Sequence, residues 1–164
     1  MDVTANPFPE GDPDRRAIWT MLVSRDIDAF LAADWSRVED DFERIGFIGI
    51  HAYKSENPDS WRVAFPALET YRDEWLRQAA ATAKVRYAEP LRAALFRATN
   101  LRDIDVAGEV AMAHKKFDGT IARADGGQDT LNWQTLYFCR RRNGRWKLTG
   151  FVGYMPFPMG RGRD

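Results

Sequence analysis

The chain has 164 residues, 45% of them hydrophobic, and its 24 basic side chains balance 24 acidic ones. That length suits one domain able to bury roughly two-thirds of its unfolded surface. The formal net charge of zero argues against a nucleic-acid partner, whose phosphates demand a basic excess.

A single cysteine, Cys139, excludes an internal disulfide and a cysteine-based metal cluster; beside Phe138 in a strand-like run, it reads as a small core residue. The opening MDVTANPFPEGDPDRR lacks the apolar stretch of a signal peptide. No run approaches the ~20 apolar residues of a membrane-spanning helix, so a soluble, cytoplasmic protein with no membrane partner is expected. Six Trp, ten Phe and five Tyr are many rings for this length, and they suit a thick core, a subunit interface or a pocket for a flat apolar ligand.

Residues 1–12, with Pro7, Pro9 and Gly11, read as a flexible arm ahead of a single domain spanning 13–155. Asp12-Pro13 carries a capping acid and a first-turn proline, and Ile18, Trp19, Leu22, Val23, Ile27, Phe30 and Leu31 recur at helical spacing. The first helix is therefore expected from Pro13 to Ala33. Asp34 resembles a second N-cap, and Trp35, Val38, Phe42 and Ile45 predict a short helix to about Arg44. Residues 46–53 read as a strand, 54–60 as a loop and 61–65 as a short strand. Pro66 opens a long helix through Thr82, with Leu68, Tyr71, Trp75, Leu76 and Ala79 on one face. In 85–99 the spacing of Leu91, Ala94, Leu95 and Ala98 favours a helical turn or two.

Asn100 to Val106 reads as a strand, and three strand-like runs follow from Gly108 to Tyr154. Asp125-Gly126-Gly127 breaks the first pair of runs and Asn143-Gly144 the second; Asn-Gly between β-rich flanks favours a type I′ hairpin. Arg140, Arg141, Arg142 and Arg145 around that turn suit a solvated hairpin tip better than a phosphate site. Residues 156–164 form a Gly/Pro/Arg tail.

Three segments carry a family resemblance: Ile104-Asp-Val-Ala-Gly-Glu-Val-Ala, the hairpin Asn143-Gly-Arg-Trp-Lys-Leu, and Arg25-Asp-Ile-Asp-Ala-Phe-Leu-Ala-Ala-Asp. Together with the element order, they resemble the nuclear transport factor 2-like superfamily, which includes ketosteroid isomerases, scytalone dehydratase and SnoaL-like cyclases. The resemblance implies an α+β fold, a cone-shaped curved antiparallel sheet packed against N-terminal helices, as in cystatin-like folds. It also implies a small apolar ligand, no cofactor and a homodimer. Val38-Glu39-Asp40 is similar to the segment that supplies the isomerases' general base, which would make Asp40 that base. The isomerases' second acid would fall near Leu136, and the first helix contains no tyrosine.

Only two histidines exist, His51 and His114. Strand alternation puts His114 on one face with Val110 and Met112, away from Ala113 and Lys115. There it reads either as a hydrogen-bonded core or rim residue or as a general acid/base at the cone's mouth. His51 and Tyr53 end a short apolar run, where His51 reads either as a strand-end surface histidine or, paired with Tyr53, as a group that orients or protonates a ligand oxygen. Taken together, the two histidines resemble the scytalone-dehydratase pattern.

In the third run Asn132, Gln134, Leu136 and Phe138 share one face, and Leu131, Trp133, Thr135, Tyr137 and Cys139 share the other. Asn and Gln among aromatics suit either a cavity wall with polar anchors or a dimer interface. Trp19, Trp35, Trp75 and Trp133 are expected to shape the cavity. No His-x-His, His-Glu-x-x-His, cysteine cluster, phosphate loop or nucleophile elbow is present, so no metal site is expected. Two functions stay open: a cofactor-free isomerase, dehydratase or cyclase using His114 with Asp40, His51 and Tyr53, or a non-catalytic module for ligand binding or dimerisation.

Overall fold

The computed structural model describes residues 2–160, so the expected tail at 156–164 falls partly outside the described residues. Asp12 caps α1 (Pro13–Trp19) by accepting the Arg15 amide at 3.2 Å. One wide π-helical turn, Thr20–Arg25, joins it to α2 (Asp26–Ala32), so the first helix runs as expected but with an irregular centre. Ala33, in the left-handed region at φ 51°, ends it.

The short helix expected to Arg44 is instead two 3-10 turns, Trp35–Arg37 and Glu39–Asp41, separated at Val38. The three-residue spacing of Trp35, Val38 and Asp41 places all three inward on such a tight path. Two longer helices follow, α3 (Leu68–Ala83) and α4 (Leu91–Ala98), the latter within the span expected to hold a turn or two.

Six strands form one sheet: β1 (Ile48–His51), β2 (Arg62–Phe65), β3 (Thr99–Ala107), β4 (Val110–Ala122), β5 (Gln128–Arg142) and β6 (Arg145–Pro156), in the order β2-β1-β6-β5-β4-β3. Neighbours are antiparallel, as expected of the curved sheet, except β1 and β6, which pair in parallel. A pair so distant in sequence is free of the hairpin constraint that forces antiparallel order. Asn143 and Gly144 turn the last hairpin with φ of 51° and 76°, both positive as a type I′ turn requires.

The strands curve round the helices, and odd-numbered residues of β4 and β5 point inward: Ala111, Ala113, Lys115 and Leu131, Thr135, Cys139 are all buried. At one end of the core Asp41 is 1% exposed and accepts from Arg25 and Arg145 at 2.7 and 2.9 Å. That ties α1–α2, the second 3-10 turn and the final hairpin together. The N-terminal residues are less free than the sequence suggests. Asn6 Nδ2 donates to the Arg16 carbonyl at 3.0 Å, Arg16 donates to the Phe8 carbonyl at 2.6 Å, and Phe8 packs on the core.

Gly150 sets the closeness of the parallel pair. A Cβ there would lie 2.4 Å from the Ile48 carbonyl oxygen, a backbone atom that cannot swing aside. Gly150→Ala is expected to cost about 1–3 kcal/mol in urea unfolding, the usual range for overpacking. Faster amide exchange should accompany it at Ile48–His51, since β1 must part from β6.

Candidate functional site

A cavity of about 410 Å³ lies between the concave face of the sheet and helices α2, α3 and α4. Its strand wall carries Lys115, Phe117 and Ile121 from β4 and Leu131, Trp133, Thr135 and Tyr137 from β5. Phe30, Trp75 and Leu95 face them from the helices, with Phe151 and Tyr154 from β6. Most of this surface is aromatic or aliphatic. Lys115 pairs with Thr135 and Ile121 with Asp129, so the wall runs six residues, on the order of 20 Å, from Lys115 to Asp129.

At the inner end a buried lysine pairs with a partly exposed carboxylate. Lys115 is 2% exposed and its Nζ donates to the Leu22 carbonyl at 2.5 Å and to Asp26 Oδ2 at 3.4 Å. Leu22 lies in the π-helical turn, and Asp26 is the first residue of α2, so the helix irregularity and the lysine meet at one point. Trp75 Nε1 donates to Asp26 Oδ1 at 3.2 Å, which occupies the other carboxylate oxygen. Burial lowers the Lys115 pKa, and the adjoining Asp26 partly opposes that.

Tyr71 and Tyr137 also line this end. Burial pushes both phenols well above 10, helped by each other's proximity at Tyr71 and by Asp26 at both, so each keeps its proton as a donor. The lysine also lies 5.0 Å from the Phe117 ring centroid and 6.0 Å from that of Tyr137.

The outer end is polar. Tyr87 donates to Asp129 Oδ2 at 2.7 Å, and Arg123 donates to Oδ1 at 3.0 Å. Burial and the Asp129 hydrogen bond push the Tyr87 phenol up to about 12. Tyr154 closes one side with φ of 59°, an uncommon backbone for a bulky residue, and its hydroxyl accepts from Gln78 at 3.0 Å.

The residues singled out from sequence are scattered. Trp75 and Trp133 line the cavity, whereas Trp19 and Trp35 are buried in the core against Phe96 and Phe42. His114 lies on the face of β4 opposite Lys115, away from the cavity. Its Nε2 is 2.5 Å from Gln134 Oε1, and Gln134 Nε2 donates to the Pro156 carbonyl at 2.6 Å. Asn132 shares that outer face and accepts from Lys54 at 2.7 Å. Because alternation sends even-numbered residues outward here, neither amide is a cavity anchor. Asp40 is exposed on the second 3-10 turn, while its neighbour Asp41 is the buried carboxylate.

His51 and Tyr53 do meet, stacked with centroids 4.1 Å apart, and Tyr154 stacks on the imidazole at 4.2 Å. Tyr53 is nonetheless 56% exposed, and neither member of the pair is part of the cavity wall. His51 Nδ1 accepts the Tyr53 amide at 2.9 Å, and burial lowers the imidazole pKa against the opposing pull of Glu74. Among the described residues no cluster of three or more His, Cys, Asp or Glu is placed to hold a metal, and no helix is long and apolar enough to cross a membrane.

Sequence reasoning passed over Asp26 and Lys115. A lysine among alternating inward residues, Ala111, Ala113 and Phe117, was the available signal.

No protein-family model and no curated protein matches the chain. Solved structures do. An NTF2-like protein of unknown function from Pseudomonas putida aligns with TM-score 0.56 at 15% identity over 87% of each chain. One from Shewanella baltica aligns at 0.54 and 12%, over 90% of this chain and 97% of that one. A protein from Novosphingobium aromaticivorans, provisionally described as an aromatic ring hydroxylase, aligns at 0.55 and 18%, over 89% and 91%. The fold is nuclear transport factor 2-like. A further NTF2-like structure from N. aromaticivorans, at TM-score 0.54 and 12% identity, is described as having a cystatin-like fold, in keeping with the α+β cone seen here.

In this NTF2-like cone the Asp26 carboxylate is the counter-charge of a lysine that is itself 2% exposed. Asp26→Ala is expected to destabilise the protein by about 3–5 kcal/mol in chemical denaturation, the range for orphaning one member of a buried pair. Asp26→Asn keeps one acceptor oxygen for Trp75 or Lys115 but sets its NH2 against the other donor and removes the counter-charge, so it too is expected to destabilise the protein.

Proposed function

We propose that the cone binds a flat, mainly apolar small molecule of one or two rings, with a polar oxygen directed at Lys115, Tyr71 and Tyr137. The observation that carries this reading is an aromatic-walled cavity of about 410 Å³ whose inner end holds a buried lysine paired with a half-buried carboxylate. That volume lies within the ~300–1,000 Å³ of small-molecule sites, and a few convergent polar groups in an apolar wall are their usual make-up. Cofactor-free isomerisation, dehydration or cyclisation is the finer form of the proposal. Proton transfer would then fall to Asp26, Lys115 and the two phenols, because these groups face the ligand and His114 does not.

Self-association belongs to the same reading. The outer face of the sheet exposes Phe138 (41%) and Ile48 (44%) beside Met112, Leu136 and Val152, and a second copy of the chain is the occupant we assign to it. A cytoplasmic location is part of the same reading.

Thermal shift with naphthalene-type alcohols tests the cavity. At a concentration about 100 times Kd a bound ligand should raise Tm by roughly 5–10 °C. Leu95→Trp, which fills the cavity from α4, should remove that response while leaving a cooperative unfolding transition. An equal response in a folded Leu95→Trp protein would contradict the assignment.

A further inference from the structure

Lys115 is chemically unusual in a way that ligand binding alone does not use. A primary amine has two N–H bonds and one lone pair. Two acceptors lie at hydrogen-bond distance from Nζ, the Leu22 carbonyl and Asp26 Oδ2 at 2.5 and 3.4 Å. In the unprotonated amine those acceptors take both N–H bonds and leave the lone pair for a third direction. The cavity supplies one, since Lys115 belongs to its wall between Phe117 and Tyr137. The four other lysines, Lys54, Lys84, Lys116 and Lys147, lie outside that wall.

Resting on the cavity reading above, we propose that Lys115 Nζ forms a reversible imine with the carbonyl carbon of an aromatic aldehyde or ketone held in the cone. The unprotonated amine attacks, its N–H bonds held by the Leu22 carbonyl and the Asp26 carboxylate. Its lone pair forms the N–C bond while the carbonyl π electrons move to oxygen; nitrogen then passes one proton to Asp26 and oxygen takes one from a tyrosine phenol, giving a carbinolamine. Nitrogen loses its second proton to that phenolate, and its electrons expel the hydroxyl, which leaves as water with the proton returned by Asp26. One aldehyde and one amine give one imine and one water, with no oxidant or reductant consumed.

Three features of the site suit this chemistry. Burial lowers the Lys115 pKa, which raises the share of amine available to attack. Asp26 stands within reach of the nitrogen and is oriented through its other oxygen by Trp75. The phenols of Tyr71 and Tyr137, held protonated, can donate to the carbonyl oxygen as charge develops on it. A structural lysine that merely ties β4 to α2 would need the carboxylate and the Leu22 carbonyl, but no place in the cavity wall.

The test uses naphthaldehyde as probe, sodium cyanoborohydride as trap, and naphthylmethanol as a ligand of the same shape with no carbonyl. Intact mass and peptide mapping should show one reduced adduct on Lys115, in excess over each of the other lysines by on the order of ten-fold. Naphthylmethanol should compete it away, and Lys115→Arg should abolish it. If Lys115→Arg does not fold, Leu95→Trp, which keeps the lysine and fills the cavity, should lose the adduct instead. A Tm increase with both compounds but no adduct at Lys115 overturns the imine while leaving the cavity reading intact. No Tm increase with either compound and no adduct overturns both. Labelling confined to surface lysines overturns the imine.

Discussion

The charge on Lys115 has to be accommodated in a wall that is otherwise apolar, and much of the surrounding structure is arranged around that need. A lone ammonium in such a place would cost several kcal/mol in lost hydration. Here Asp26 supplies the counter-charge, the Leu22 carbonyl supplies an acceptor, and Trp75 holds the carboxylate from α3. These contacts draw the π-helical turn, the start of α2, the middle of α3 and the centre of β4 to one point. Replacing the pair with apolar side chains of the same volume would give a more ordinary core.

The aromatic side chains divide between two tasks. Trp35, Phe42, Phe47, Tyr71, Phe65 and Phe151 form a chain of ring contacts that closes the core beneath β1 and β6. Trp133 stacks on Phe117 with centroids 4.7 Å apart and forms part of the cavity wall. Trp75 joins the two groups, touching Trp35 and Phe30 at its edge while donating to Asp26. The composition that suggested either a thick core or a flat ligand therefore corresponds to both.

Periodicity in the sequence carried the helices, the long hairpins and the division of each strand into two faces. His114 falls opposite Lys115 and Asn132 opposite Trp133, as alternation required. What alternation alone does not specify is which face turns inward. With Lys116 beside His114 on one face and Lys115 on the other, both faces carry a charge, and the counter-charge on α2, 89 residues away in sequence, makes the Lys115 face the inner one. Between Asp40 and Asp41 the 3-10 spacing turns Asp41 inward, and Arg25 and Arg145 supply its counter-charges there. Two further departures have local causes. The 3-10 turns after Asp34 and the parallel β1–β6 pair follow from tight spacing and close backbone approach at Gly150, neither of which helical or strand periodicity registers.

Nitrogen NMR of Lys115 reads directly whether the lysine amine faces a ligand in the cone. With lysine labelled at Nζ and Lys115→Arg used for assignment, a naphthalene-type alcohol should shift the Lys115 resonance along a saturable curve with the same Kd as the thermal response. The resonances of Lys54, Lys84, Lys116 and Lys147 should stay in place. A Lys115 signal that does not move while the protein is saturated with ligand would contradict the account and leave the buried pair as a purely structural tie between β4 and α2.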